Sequence, residues 1–288
     1  MVDEYNDHSL LKLIAITYWI GIFSPISHKQ LKQKYGYDVV YVDTMAGSGI
    51  TKTQREGDYL CGSFPSASLR AADLGCPFDR LIGVEIKSEK ATIVKERLKS
   101  LNFDKEVKIF DKDILEVSGD VVNYIGSLSV SYIVIDPQAF KGMTWAAIGP
   151  LLKCKGDAMV TWFEQEAWRM KEAALSNARS AQGNADRLDE LLGTNWRTAN
   201  KPEDLTHLFT QRILNETQKV ATESILIEDI LGKHYKMILF VGKSKRAKHL
   251  AMEWKKYMDK YLGSDKGRNI SRLLDIKARR QSDLKDYL

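Results

Sequence analysis

Short apolar, β-branched runs recur along this chain at Val39–Val42, Leu81–Glu85, Val107–Phe110, Tyr132–Ile135 and Ala158–Phe163. Runs of this length, each closed by a polar or turn residue, predict buried strands. Segments of helical period lie between them at 63–74, 88–101, 119–128 and 143–153. Strand and helix in alternation predict a parallel sheet covered by helices. Ahead of the first strand, HSLLKLIAITYWIGIFS (8–24) predicts a helix with an apolar face. A turn at Pro25-Ile26-Ser27 and a second short helix at 28–35 are expected to follow. Residues 50–61 are polar and predict a loop. From 164 to 220 the pattern is mostly helical, with no strand. Ser224–Ile230 and Tyr235–Val241 then predict two strands, separated by Leu231-Gly232-Lys233-His234. That separation suits an antiparallel hairpin. A last helix is predicted over Ala247–Leu262.

Charge changes this picture at one end only. The net charge is +5 over 288 residues. From Gly242 onward there are 14 Lys/Arg against 6 Asp/Glu, leaving 29 against 32 elsewhere. A basic terminal segment is suited to a polyanion, and equally to keeping a terminal helix solvated. Hydrophobic content of 44% supports a substantial core. Cys61, Cys76 and Cys154 have no CxxC spacing and no partner histidines. No disulfide framework or metal site is expected, and a reducing cytoplasmic setting fits. The N-terminus lacks a basic leader with a cleavage site. The apolar stretch Leu10–Phe23 is interrupted by Lys12 and reads as too short to span a bilayer. No membrane association is expected.

The strand ends carry the candidate chemistry. Val39–Val42 ends on Asp43, followed by the turn Ala46-Gly47-Ser48-Gly49. Glycines let a backbone approach a ligand closely. In α/β sheets ligands bind at the carboxyl ends of strands. Full GxGxxG spacing is absent, because Lys52 stands at the next glycine position, so a dinucleotide site is disfavoured. Glu85, followed by Ile86, ends the second strand and is suited either to accepting both hydroxyls of a ribose or to starting the next helix at the surface. Asp113, followed by Ile114, is suited either to an adenine amine or to capping a helix. Asp136-Pro137-Gln138-Ala139-Phe140 ends the fourth strand. Asp136 can accept from an amine about to be alkylated, Gln138 can donate and accept, and Phe140 can stack on a planar base. The other reading is a turn with a core phenylalanine. Trp145, Trp162 and Phe163 are further stacking candidates or core residues.

Five parallel strands closed by an antiparallel hairpin are the layout expected of a class I S-adenosylmethionine-dependent methyltransferase. This is an α/β, Rossmann-like, seven-stranded mixed sheet. The expected divisions are an N-terminal helical extension (1–36), a methyltransferase-like domain (37–246) and a C-terminal helix with a basic tail (247–288). The helical insertion at 164–220 falls between strands five and six. YVDTMAGSG, CGSFPSAS, GVEIKSEK and VIDPQAF together resemble the three-Cys-motif partner protein family, which is methyltransferase-like. The N-terminal helix and the YKMILFVGK strand are similar as well. Met45 replaces the family's phenylalanine, Phe64 is inserted in GSFP, and DPQAF replaces DPxG. The resemblance implies an S-adenosylmethionine site, a possible protein partner and no particular substrate. DPQAF also resembles the DPPY-type loop of methyltransferases acting on base amino groups, with the aromatic one residue further along. The leading expectation is methyl transfer to a base amino group of RNA or DNA. The alternatives are a protein or small-molecule methyltransferase, or a non-catalytic module serving a partner protein.

Overall fold

The computed structural model describes residues 3–5, 7–53, 59–100, 106–176, 179–228 and 234–262. The chain begins with β1 (Asp3–Tyr5), α1 (Asp7–Ser27) and, after a π-helical turn at His28–Lys32, the short α2 (Gln33–Tyr35). The expected break at Pro25 does not occur. A proline inside a helix removes one backbone bond, but tertiary bonds hold this segment in place. Ser24 donates to the Cys76 carbonyl, and a ring nitrogen of His28 meets the Pro77 carbonyl at 2.9 Å. The widened turn directly follows the proline, where the ladder is already disturbed. As a result the helical stretch Leu10–Tyr35 is, by length and composition, apolar enough to cross a membrane. The sequence reading stopped at Phe23 and missed this. Here its apolar side chains enter the core: Leu11, Ile16, Trp19, Ile20 and Phe23 are all buried.

β2 (Asp38–Asp43) comes next, followed by β3 (Ile50–Thr53), β4 (Tyr59–Cys61) and α3 (Ser63–Asp73). β3 and β4 replace the loop expected at 50–61. With β1 they form a separate three-stranded sheet. Strands this short, largely polar, show no core periodicity to read. The remaining elements alternate: β5 (Arg80–Val84), α4 (Ser88–Ser100), β6 (Glu106–Phe110), α5 (Ile114–Ile125), β7 (Ser129–Ile135), α6 (Trp145–Leu152) and β8 (Gly156–Trp162). α7 (Glu164–Ala174), α8 (Ala181–Leu192) and α9 (Pro202–Glu216) make up the helical insertion. β9 (Lys219–Glu228), β10 (His234–Gly242) and α10 (Ala247–Leu262) complete the fold. Of the expected hairpin turn, Leu231, Gly232 and Lys233 lie outside the described residues, as do Arg279 and Arg280 in the basic tail.

The main sheet has the order β6-β5-β2-β7-β8-β10-β9. β6 through β8 are parallel, and β10 runs antiparallel to both β8 and β9. This is the class I methyltransferase arrangement, with its single reversed strand next to the edge. Central β7 is buried along its whole length, which explains the unbroken apolar run over its second half, Tyr132–Ile135. One face of the sheet is covered by α1, α3, α4 and α10, through Trp19, Ala67, Val94 and Trp254. α5 to α9 cover the other, through Val121, Leu151, Ala167, Leu188 and Phe209. The insertion therefore packs as core, with Phe209 stacked on Trp162 at 4.4 Å. α1 runs opposite to the parallel strands. Lys12 meets Asp136, just beyond the carboxyl end of β7, while Trp19 bonds Asp157 near the amino end of β8.

Candidate functional site at the carboxyl ends of the strands

β2 delivers Asp43 into a fully buried position beneath the glycine turn. Its carboxylate accepts the Met45 N–H at 2.9 Å and the Ser63 hydroxyl from the start of α3. Burial pushes the Asp43 carboxyl up to about 6, with the neighbouring Asp136 adding to the shift, while the Ser63 and Met45 bonds and Lys12 oppose it. Asp43 thus shapes the turn and sets the charge beneath it. Ala46 is tied to the second strand end by its N–H, which donates to the Val84 carbonyl at 2.9 Å. Gly47 and Gly49 both take positive φ, +60° and +81°, a conformation that costs other residues strain. A Cβ on Gly49 would stand 2.9 Å from Val94, and one on Gly47 would stand 2.7 Å from the Asp3 carboxylate.

Asp3 is a residue that sequence reasoning missed. Its carboxylate accepts the Ser48 N–H at 2.6 Å and pairs with Lys90 of α4. Burial alone would raise the Asp3 carboxyl, but the bonds to Lys90 and Ser48 outweigh it and hold the group below the usual carboxylate range. Ser48 is buried, and its carbonyl accepts from Arg97 at 2.7 Å. An acidic residue ahead of a helix gives no signal that it will reach a turn some 45 positions away.

Glu85, just past β5, is 8% exposed. One of its oxygens accepts the Lys87 N–H at 2.9 Å, and the other has no partner among the described residues. Ile86 beside it is 60% exposed, and Leu115 at the next strand end is 52% exposed. Ile114 is buried under the start of α5. Asp113 caps α5, accepting the Leu115 N–H at 2.8 Å, so the capping role weighed from sequence is realised. A cap leaves the second carboxylate oxygen of Asp113 outside that bond.

At the fourth strand end, Lys12 of α1 donates to both oxygens of Asp136, at 2.8 and 2.7 Å. The same ammonium lies 5.2 Å from the centre of the Tyr235 ring. Lys12 was noticed in the sequence only as an interruption of an apolar stretch. A lone lysine on an otherwise buried helix face was the available signal. Pro137 is buried and Gln138 is exposed. Phe140 requires a correction. Its ring is 2% exposed and meets Trp162 edge-on at 5.3 Å. Its N–H donates to Glu166 at 2.9 Å. A ring locked edge-to-face in the core cannot stack on a base, so Phe140 is removed from the stacking candidates. Trp162 is likewise core. Trp145 is partly buried beneath the Arg212 guanidinium. The fifth strand end adds a buried carboxylate, Glu164, which takes hydrogen bonds from Lys236 and Thr206.

The site thus brings Asp43, Ala46–Gly49, Glu85, Asp113 and Asp136 to one edge of the sheet. Among the described residues, no group of three or more His, Cys, Asp or Glu side chains could hold a metal. No protein-family model matches the chain, and no curated protein matches it. Solved structures are similar in fold. An rRNA methylase from Streptococcus thermophilus is 10% identical over 76% of this chain and 95% of its own, with a TM-score of 0.38. A dimethyladenosine transferase from Plasmodium falciparum is 11% identical over 88% and 69%, with a TM-score of 0.40. The O-methyltransferase TomG from Streptomyces achromogenes, in complex with SAM, is 12% identical over 78% and 80%, with a TM-score of 0.41. The strand order itself, rather than these likenesses, assigns the fold.

Proposed function

We propose that this chain transfers a methyl group from S-adenosylmethionine, and that the acceptor is a base amino group of RNA or DNA. The observation that carries the reading is the placement of Asp136 beside the glycine turn, at the centre of a sheet with one reversed strand. The residues present fit the cofactor. Glu85 offers a free carboxylate oxygen to a ribose, exposed Ile86 and Leu115 offer apolar cover to a purine, and Asp113 keeps one carboxylate oxygen outside its cap bond for the purine's amine. Buried Asp43 places negative charge below the turn, where a cationic amino acid group would be favoured. When bound, S-adenosylmethionine supplies a methyl group already activated for transfer.

The protein's part is then alignment. Asp136 accepts from the attacking amine, and each of its oxygens keeps a second lone pair after donation from Lys12. Lys12 fixes the carboxylate's rotamer from α1, so Asp136 is oriented before any substrate arrives. Gln138, exposed at the cleft, supplies an adaptable amide. With Phe140 withdrawn into the core, stacking on the acceptor falls to other groups. That withdrawal favours a second reading, in which the acceptor is a protein or small molecule that needs no stacking partner.

The test has two stages. Calorimetry with S-adenosylmethionine and S-adenosylhomocysteine measures cofactor binding. Labelled cofactor is then incubated with pooled RNA, DNA and protein. Label in nucleic acid that is lost in Asp136→Ala supports the reading. Label confined to protein would move the second reading ahead.

A further inference from the structure

The basic residues that follow β10 lie at the pole opposite the candidate site. β10 runs antiparallel to β8, with Phe240 opposite Ala158, so Gly242 reaches the amino end of the parallel strands. Lys243, Lys245, Arg246 and Lys248 follow it, all exposed. Lys153 and Lys155, in the loop from α6 into β8, are exposed at the same pole. None of the six forms an ion pair with a described residue.

Two adjoining cavities join these loops. The first, of about 230 Å³, is lined by Trp19, Ile26, Tyr37, Lys155 and Lys243 among others. The second, shallower, of about 450 Å³, contains Lys153 and Lys155. Gln218 borders both. Asp157 is the one acidic residue lining either cavity, and both of its oxygens are already bonded, to the Trp19 indole at 3.0 Å and the Gly242 N–H at 2.8 Å. Lys155 donates to the Tyr37 hydroxyl at 3.1 Å and lies 4.9 Å above its ring. The face is therefore cationic at its rim and apolar in its floor. The first cavity is smaller than a drug-sized pocket of roughly 300 Å³ or more, which suits a single planar ring.

We propose that this pole is a second nucleic-acid contact, separate from the methyl-transfer site, that holds a phosphodiester backbone on its lysines and one base in the smaller cavity. Charge complementarity argues for a polyanion. A membrane is the weaker occupant, because Ile26 is the one large apolar side chain of the first cavity that is also exposed. The position of the two poles sets a length requirement. β7 has seven residues, so the poles are about 23 Å apart at about 3.3 Å per residue. At 3.4 Å per base pair, a duplex shorter than about seven pairs cannot reach both. The inference rests on the proposed function for this length dependence alone; binding at the pole is measured without turnover.

The experiment uses the full chain and a quadruple variant, Lys155→Gln, Lys243→Gln, Lys245→Gln and Arg246→Gln. Fluorescence anisotropy reads the binding of labelled 24-nucleotide RNA and DNA strands across a salt series, and calorimetry with S-adenosylhomocysteine reads the other pole. The variant should bind the strands at least tenfold more weakly, with a salt slope shallower by as much as about 3. Its S-adenosylhomocysteine affinity should be unchanged, which also shows that it folds. Equal strand binding by the variant, or no strand binding by the unaltered chain, overturns the inference, as does binding of anionic phosphatidylserine vesicles in place of the strands. Loss of strand binding in a chain that never binds S-adenosylhomocysteine, with the variant's thermal midpoint equal to that of the unaltered chain, would leave the inference standing and remove the proposed function.

Discussion

The two ends of the parallel strands handle charge in opposite ways. At the carboxyl end, Asp43, Asp136 and Glu85 are gathered under and around a glycine turn, and Lys12 spans both oxygens of Asp136. Carboxylates there are concentrated but partly open. At the amino end, Asp157 is sealed between the Trp19 indole and the Gly242 N–H. Buried Lys219 donates to the Cys154 and Gly156 carbonyls, at 2.9 and 2.8 Å. The exposed charged groups lining the cavities there are Lys153, Lys155 and Lys243, beside neutral Gln218 and Ser244. α1 reaches both poles, with Lys12 on Asp136 at one and Trp19 on Asp157 at the other, so a single helix positions a carboxylate for chemistry and locks another for structure. The lesson is that an aspartate near a strand terminus is not informative by itself. Which end it sits at, and whether it keeps access to solvent as Asp136 does and Asp157 does not, decides its use.

The largest expected effect is at the open pole. Asp136→Ala should lower methyl transfer by on the order of 10²–10³-fold, as for removal of one preorganised polar group, while S-adenosylhomocysteine affinity stays within a few-fold. Initial rates with labelled cofactor and the best acceptor pool measure the first, and calorimetry the second. Survival of turnover would reduce the DPQAF segment to a turn.

At the sealed pole the comparison predicts a cost in stability instead. Asp157→Ala removes two buried hydrogen bonds and leaves Lys219 without its nearby carboxylate. Lys219 is already strained as a cation, since burial pulls its ammonium down to about 8, with Asp157 pulling the other way. Leaving the buried Trp19 and Gly242 N–H groups without an acceptor costs about 1–3 kcal/mol each. Denaturant midpoints at pH 7 would read it, and Asp157→Asn, which keeps an acceptor for one of the two N–H groups, should lose less than Asp157→Ala. An unchanged midpoint in Asp157→Ala would mean that the two poles do not differ in the way described.

Returning to the open pole, Glu85→Ala should weaken S-adenosylhomocysteine binding by about 1.5–3 kcal/mol, the range for a hydrogen bond to a charged group. The effect should be confined to affinity, with the thermal midpoint of the free protein little changed. Wild-type affinity in a folded Glu85→Ala protein would remove ribose recognition from this pole.

Most of this architecture could be read from the chain because the central strands are buried on both faces. β2, β7 and β8 therefore appear as apolar runs closed by the very residues, Asp43 and Asp136, that reach the site. The hairpin strands were legible as β-branched runs and the last helix as an amphipathic period, with Trp254 and Met258 buried and Met252 and Tyr257 exposed. What was not legible depends on contacts distant in sequence. Lys12 and Asp136 are 124 positions apart, and no local pattern announces their pairing. The small sheet of β1, β3 and β4 has strands too short for periodicity. Phe140 looked available because a turn after a strand is usually exposed; only the packing of Trp162 beside it shows otherwise. The basic segment was visible as composition, but its pole follows from the reversal of β10.

The smallest effect is also the most specific to the difference between the poles. Asp43 is a buried carboxyl raised to about 6, so it titrates in a range where it would otherwise be fully ionised. Asp136, Lys12, Tyr41, Tyr132, Ser63 and the Met45 N–H are the polar groups that face it. Because the folded-state value lies above the unfolded one of 3.8, the folded protein binds the extra proton between those values. Its contribution to stability is therefore fully present below about pH 4 and is lost as pH rises through 6. A cationic ligand has the opposite preference, since it gains from the ionised form. S-adenosylhomocysteine, through its ammonium, should bind about tenfold more weakly at pH 5 than at pH 7, one unit below the titration against one above it. Calorimetry at the two values measures this, and Asp43→Asn should flatten the dependence while lowering affinity at pH 7 toward the pH 5 value. An affinity that rises as pH falls would place the cation elsewhere, away from Asp43, and would leave the glycine turn without an electrostatic role.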